Sequence, residues 1–520
     1  MERNLPELPA DPRKDIEAVA KFHSLPLAFP PRVLKEASSA AALAEARGKR
    51  LDLRRKFVFT CDPVSAKDYD DALSFEKDAS GRRVLGVHIA DVSHFVRPGG
   101  AIDKEAAKRG NSVYFPGRVL PMLPPLLSDN LCSLVPGEDR LAFSVFITFD
   151  AGGNVVGRSF AKSVIRSKAR FEYSAVTAAL RGESASIPAA RLKTLRAINS
   201  LAAELRAKRF AAGALDLETP EYEMVLDGRG EMVRLEKRPY DESHIMIEEC
   251  MVAANEAVAF FLASKGVRIP ARFHDGPDGE KLRMLRAELA GMGVKTGNLC
   301  DINVFTRFLA SVKKHPLYPV IAVMVLRSMK RAVYDAGSMG HFGLAKRYYA
   351  HFTSPIRRYA DLVLHRILAD SLSGKRTRMP ASKLAGICAH LSETEETAAE
   401  AERELADMKK TRFMMKSGRR GEVYRAVVSK CMPFGCFVDI PSLGVSGLVH
   451  ISSLSGRYVI FNSSDSSLSA PGGESWRTGD EMDVMLDRVD PKTRRIDFVP
   501  AVSSGRRARG GKKKGGGRWI

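Results

Sequence analysis

The stretch Thr60-Cys61-Asp62-Pro63-Val64-Ser65-Ala66-Lys67-Asp68-Tyr69-Asp70-Asp71-Ala72 sets four aspartates within ten residues, directly after the apolar run Phe57-Val58-Phe59. Carboxylates held this close repel one another, and several must take up protons unless a cation offsets their charge. Oxygen ligands of this kind suit Mg²⁺, with Mn²⁺ as the alternative. A bound divalent ion lowers the pKa of a water molecule and stabilises charge on a phosphate and its leaving oxygen, most effectively when two ions share the work. The competing reading is a solvated acidic turn or a calcium loop, although the spacing lacks the Gly and the final Glu of an EF-hand.

The surroundings of this acidic loop are basic. The 520 residues hold 82 Lys and Arg against 61 Asp and Glu, a formal net charge of +21. Such a surplus attracts polyanions, so RNA or DNA is the first partner to consider and an anionic membrane the second. Hydrophobic residues make up 45% and charged residues 28%, as in a soluble globular protein. The length calls for one large domain and at least one smaller one. The most apolar helical stretch, residues 245–263, contains Glu248, Glu249, Asn255 and Glu256. It belongs in a protein core rather than in lipid. The chain begins Met-Glu-Arg-Asn-Leu-Pro, without an apolar signal region, and reads as cytoplasmic with no membrane partner. Seven cysteines, at 61, 132, 250, 300, 388, 431 and 436, are odd in number and form no Cys-x-x-Cys pair, so they suggest neither a disulfide framework nor a zinc site. Cys431 and Cys436 would be half of a zinc site, but no second Cys or His pair lies nearby.

Residues 1–50 read as a leader with short helical patterns broken by Pro26, Pro30 and Pro31, and with an Ala-rich surface helix over 40–46. Residues 51–415 read as a long mixed α/β (α+β) domain. Phe57-Val58-Phe59-Thr60 and Val84-Leu85-Gly86-Val87-His88-Ile89 are strands around a polar loop, and residues 141–149 are another strand. Helical patterns cover 187–211, 243–265, 279–292, 318–335, 355–374 and 381–415. Ser243 is placed to cap its helix and Gly266 to end it. From Gly421 the pattern changes. Residues 422–428, 436–440, 448–451, 480–489 and 495–499 are short alternating strands, which predict a five-stranded β-barrel of OB-fold type over 419–502. The Ser-rich residues 462–475 are expected as a loop within it. Residues 503–520 carry seven basic residues and no acid. They read as a disordered tail that binds nucleic acid loosely, or as a merely solvated one.

Further motifs follow the acidic loop in a fixed order. They are Val87-His88-Ile89-Ala90-Asp91-Val92, Val113-Tyr114-Phe115-Pro116, Pro121-Met122-Leu123-Pro124 and Leu127-Ser128-Asp129-Asn130-Leu131-Cys132-Ser133-Leu134. Later come Ile247-Glu248-Glu249-Cys250-Met251 with Ala254-Asn255, then Leu326-Arg327-Ser328-Met329. The last is His351-Phe352-Thr353-Ser354-Pro355-Ile356-Arg357-Arg358-Tyr359-Ala360-Asp361, with His365-Arg366. In these motifs the sequence resembles the ribonuclease II / ribonuclease R family over about residues 50–415.

The resemblance implies an RNB-type catalytic domain. It implies a magnesium-dependent, processive 3′→5′ exoribonuclease that hydrolyses single-stranded RNA to nucleoside 5′-monophosphates in RNA turnover and processing. By the same resemblance Asp62, Asp68, Asp70 and Asp71 form the catalytic, metal-holding set, with Asp62 and Asp71 the direct Mg²⁺ ligands and Asp70 the residue most needed for hydrolysis. Tyr114 matches an aromatic residue that holds the 3′-terminal nucleotide. Arg357 matches an arginine on the scissile phosphate, with Arg358 beside it on the RNA. Glu402 matches a glutamate near the terminal bases, and His274 a member of the nucleotide stack. The competing readings, from the residues alone, are a core tyrosine for Tyr114, helix-surface arginines for Arg357 and Arg358, and an exposed glutamate for Glu402. His365 reads as a residue that satisfies a core hydrogen bond.

Gly421-Glu422-Val423, Phe434-Gly435-Cys436-Phe437-Val438 and Gly447-Leu448-Val449-His450-Ile451-Ser452 resemble the OB-type RNA-binding domain of ribosomal protein S-one. That resemblance implies that Phe434, Phe437 and His450 face RNA, with Tyr458 a further contact. The alternative puts Phe437 in the barrel core. Family members usually carry two cold-shock-type OB domains before the catalytic domain. This chain has room for neither, and residues 12–50 look like the linker that follows them. A monomer is expected, with helicase or ribosome contacts left open. Two rivals stand beside the enzyme reading: an RNA-binding protein with an inactive catalytic fold, and a DNA exonuclease using the same metals.

Overall fold

Val84 to Ile89 become the middle of a seven-stranded sheet, because an apolar run of this length can be buried on both faces. The computed structural model describes residues 5–40, 48–184, 186–217, 221–375, 379–417, 422–463 and 465–501. The expected basic tail, and the Ala-rich stretch beyond Ala40, lie outside the described residues.

The strands of this region are β1 (Leu51–Asp52), β2 (Phe59–Asp62), β3 (Asp71–Lys77), β4 (Arg83–Ala90), β5 (Val113–Phe115), β6 (Arg118–Leu120), β7 (Asp139–Phe149), β8 (Val155–Arg166) and β9 (Ala169–Glu172). Seven of them form one sheet in the order β1-β8-β7-β4-β3-β2-β9, and β5 and β6 form a separate hairpin. Neighbours in the sheet are antiparallel, except that β1 runs parallel to β8 and β2 parallel to β9. The helices Ala189–Ala211 and Glu242–Ser264 pack against this sheet. The apolar stretch with internal glutamates is therefore a core helix, as its composition requires. No helix among the described residues is long and apolar enough to cross a membrane.

A polar line runs through the sheet. His88 of β4 is fully buried, and its ring lies 2.9 Å from Ser74 Oγ and 2.7 Å from Ser144 Oγ. Gly86 sits beside this line, where a Cβ would stand 2.3 Å from Ser74 Oγ. Glycine is what allows the three polar groups to meet.

Several expectations need correction. The polar loop expected after β2 contains a full strand, β3. The helix expected over 318–335 ends at Ser328. Val333–Asp335 is a strand paired with Ala271–Phe273, as β-branched and aromatic residues favour. The helix expected from residue 355 starts at Tyr359, so Arg357 and Arg358 precede it and are not helix-surface arginines. Asp241, not Ser243, is the N-cap of Glu242–Ser264, and the buried Ser243 hydroxyl has two acceptors in reach of its one hydrogen, Asp241 Oδ1 at 2.8 Å and Tyr173 O at 2.9 Å. Gly266 follows that helix with φ +68°, the left-handed turn glycine permits. Helices at Tyr173–Arg181 and Ile302–Val312 were not expected at all.

The second compact unit consists chiefly of residues from 410 onward. Its strands Val423–Met432, Gly435–Ile440, Val445–His450, Glu481–Asp490 and Arg495–Pro500 close into a barrel, the five-stranded OB-type architecture expected. Residues 462–475 are not simply a loop. Ile460–Asn462, Ser467–Ser469 and Ser475–Trp476 form a three-stranded sheet. Cys431 and Cys436 stand opposite each other across one hairpin, buried and free.

Candidate active site

The register of β2 on β3 builds the acidic site. Pairing of Phe59 with Leu73 sets the end of β2 beside the start of β3, so Asp62 and Asp71 close the mouth of the intervening loop. That loop is braced from outside. The Ser133 hydroxyl donates to Lys67 O at 2.7 Å and accepts from the Tyr69 amide at 3.0 Å, while the Leu134 amide donates to Tyr69 O. The motif around Ser128–Leu134 thus serves to hold the acidic loop in shape. Arg170, at the second position of β9, donates to Pro63 O at 3.0 Å and Val64 O at 2.9 Å.

Burial acts on all four carboxylates, and repulsion within the set on Asp62 and Asp70. Burial, then the charge of Asp71, pushes Asp62 up to about 8. Burial lifts Asp71 to about 6, against the pull of Arg357. Asp68 is raised by burial, and the fully enclosed Asp70 well above the carboxylate range. Asp62 Oδ2 is buried without a hydrogen-bond partner. An orphaned carboxylate oxygen among like charges fits a cation. Among the described residues no three acidic, imidazole or thiol side chains converge on one point.

Arg357 is brought in from far along the chain. The Ile356 amide donates to Asp70 Oδ1 at 2.9 Å, and Arg357 Nε stands 3.7 Å from Asp70 Oδ2. The Arg357 guanidinium also donates to Ser354 Oγ at 3.0 Å. Tyr114, on β5, is 41% exposed. Burial acts first on its hydroxyl, and then the charges of Arg357, Asp68 and Asp70. Its amide donates to Glu402 Oε1 at 2.7 Å. Tyr114 is therefore not a core tyrosine, and Glu402, half-buried with a raised pKa from burial, is not a free surface acid.

Other expected residues stand apart from this group. Arg358 caps the helix Tyr359–Leu372 and donates to the buried Asp361 at 2.8 Å. His274 accepts at Nδ1 from the Gly343 amide (3.0 Å), and its Nε2 lies 2.8 Å from Lys330 O, to which it donates. His365 lies in the core with Nε2 2.8 Å from Phe352 O, as its reading implied. Two residues were missed. Arg170 needed the β2–β9 pairing to be seen. Tyr173 follows β9, stacks on His244 at 4.0 Å, and its hydroxyl feels burial first and then Asp71, Cys61 and Asp62. Neither carries a local signal, since both depend on a parallel pairing across more than a hundred residues.

On the barrel, Phe434 and Phe437 are 43% and 37% exposed, with ring centroids 6.1 Å apart in a T-shaped arrangement. Phe437 is thus outside the barrel core. His450 is exposed and caps a short helix through the Ser452 amide, and Tyr458 is 80% exposed.

The family described as RNB domain matches residues 50–374, and the S1 RNA binding domain matches residues 419–499. Ribonuclease R of Thermotoga maritima is 40% identical over 504 residues, covering 94% of this chain and 71% of that protein. Ribonuclease R of Escherichia coli is 35% identical over 501 residues, covering 93% of this chain and 61% of that protein. The solved structure of Mycoplasma genitalium RNase R in complex with ribose methylated single-stranded RNA superposes with a TM-score of 0.89 at 29% identity, covering 95% of this chain and 78% of that one. The chain belongs to the RNB-domain ribonuclease R family.

Proposed function

We propose that this chain is a magnesium-dependent, processive 3′→5′ exoribonuclease that shortens single-stranded RNA to nucleoside 5′-monophosphates. The observation that carries the reading is Asp70 fastened to the Ile356 amide with Arg357 beside it, at the mouth of a four-aspartate loop in a member of this family.

Asp62 and Asp71 are the residues that would hold the ion, with Asp68 and Asp70 alongside. The ion would supply an activated water and neutralise charge on the scissile phosphate. The chain's own residues do the rest. Asp70 Oδ1 is held by the Ile356 amide and Oδ2 faces Arg357; ionised once a cation offsets the local charge, Oδ2 would take a proton from the attacking water and return it to the 3′ oxygen as the P–O3′ bond breaks. Arg357 offers a planar, permanently charged guanidinium to the phosphate. The exposed Tyr114 ring stacks on the 3′-terminal base, a contact worth about 1–3 kcal/mol and largely indifferent to base identity. Glu402 holds the Tyr114 amide. On the barrel, Phe434, Phe437 and His450 would grip single-stranded RNA further from its end by the same stacking. The net charge of +21 makes binding weaken as salt rises.

The test uses 5′-labelled single-stranded RNA with Mg²⁺, comparing the chain with its Asp70→Asn variant on a sequencing gel. Stepwise shortening, lost in the variant and in chelator, supports the enzyme. RNA that is bound but left intact by both proteins supports an RNA-binding protein with an inactive catalytic fold.

A further inference from the structure

Val19 and Ala20 of the leader helix Asp15–Phe22 are buried in a small core cluster. It includes Val113 and Phe115 of β5, and Ala401 and Leu405 of the long helix Ala381–Ser417. Val113 and Phe115 flank Tyr114, and Ala401 precedes Glu402. Alternate residues of a strand face opposite sides. Burying Val113 and Phe115 against the leader cluster therefore turns Tyr114 outward.

The leader is pinned at both ends. Lys409 is buried, with Nζ 2.9 Å from Asp15 Oδ2 and 2.8 Å from Pro12 O. Beyond the helix, Arg109 donates to Pro26 O at 3.1 Å and Ala28 O at 2.7 Å. A buried ion pair is weak evidence for net stability, yet it specifies one seating, because either charge left alone is costly.

We propose that the leader helix positions Tyr114. Seated by the Asp15–Lys409 pair between β5 and the long helix, it sets the ring that stacks on the RNA 3′-terminal base. This rests on the reading of Tyr114 under Proposed function. Asp15 and Val19 are positioning residues. Loosening them weakens the grip on the RNA end and leaves the aspartates untouched.

The experiment uses the full chain and an RNA carrying 2-aminopurine at its 3′ end, whose fluorescence falls on stacking. Binding is read in chelator, and KM and kcat with Mg²⁺. Wild type quenches the probe, and Tyr114→Ala does not. Val19→Ala and Asp15→Ala lose most of the quench and raise KM roughly fivefold, the loss of one weak stacking contact, with kcat little changed. Should Asp15→Ala fail to fold, Val19→Ala decides alone, since it removes only two methyl groups. Wild-type quench and KM in the folded variants, with only a lower melting temperature, overturn the inference and leave Tyr114's role standing. A wild type that quenches no more than Tyr114→Ala overturns the role of Tyr114, and this inference with it.

Discussion

Asp70 and Ile356 lie 286 residues apart, yet the Ile356 amide donates to Asp70 Oδ1 at 2.9 Å. The bond joins the acidic loop to the segment that carries Arg357. It makes one site from two regions distant in the chain.

Asp70→Asn keeps an oxygen for the Ile356 amide and removes the charge. Hydrolysis of RNA should fall on the order of 10²-fold or more, the usual contribution of a general base or preorganised charge. RNA affinity, read by gel retardation, should stay near wild type.

Arg357→Lys keeps the charge and loses the planar fork that donates to Ser354 Oγ and is proposed to hold the phosphate. We expect kcat to drop roughly tenfold, about 1.4 kcal/mol of transition-state stabilisation, with a smaller change in KM. Single-turnover kinetics will separate the two.

Burial and the charge of Asp71 push Asp62 up to about 8 in the folded chain, from an ordinary value near 3.8. The folded chain then holds a proton that the unfolded chain has lost, so this group lowers stability as pH rises between those values. Without metal, Asp62→Asn should melt a few degrees higher than wild type at pH 8. Added Mg²⁺ should raise the melting temperature of wild type more than that of the variant. Calorimetry in chelator and in Mg²⁺ measures both.

His88 is buried among hydroxyls and pushed down to about 3, first by burial and then by the charge of Lys56. Its unfolded value is near 6.5, so the unfolded chain binds the extra proton between those limits. Stability should therefore fall as pH drops from about 6.5 towards 3, by up to about 1.4 kcal/mol per unit for this group. His88→Leu should flatten the slope of melting temperature against pH, even though losing the contacts to Ser74 and Ser144 lowers stability overall.

Phe434→Ala and Phe437→Ala remove exposed rings, so the barrel should stay folded. Each should weaken single-stranded RNA binding by about 1–3 kcal/mol, with little dependence on base sequence. Fluorescence anisotropy with two unrelated RNAs checks both points.

Much of this was legible from local pattern. The acidic loop, the central strand Val84 to Ile89, the core helix with its internal glutamates and the five barrel strands all carry their signal within a few residues. What was not legible depends on distant pairing. Arg358 sits beside Arg357 in sequence, yet Asp361 claims it. Residues 330–335 lost their helical reading because Val333–Asp335 finds a strand partner at Ala271–Phe273. Glu402 looked like one acid among many on a long helix until the Tyr114 amide came to meet it. The leader read as a connecting segment, because nothing in residues 12–23 announces that Lys409 will accept Asp15 as a buried partner.

The most direct measurement places one label on the 5′ end and a second on the 3′ end of a single-stranded RNA and follows both with Mg²⁺. A 3′→5′ exoribonuclease releases the 3′ label first, as a nucleoside 5′-monophosphate, while the 5′-labelled strand shortens in single steps. Release of the 5′ label first, or both labels appearing in internal fragments, would contradict it.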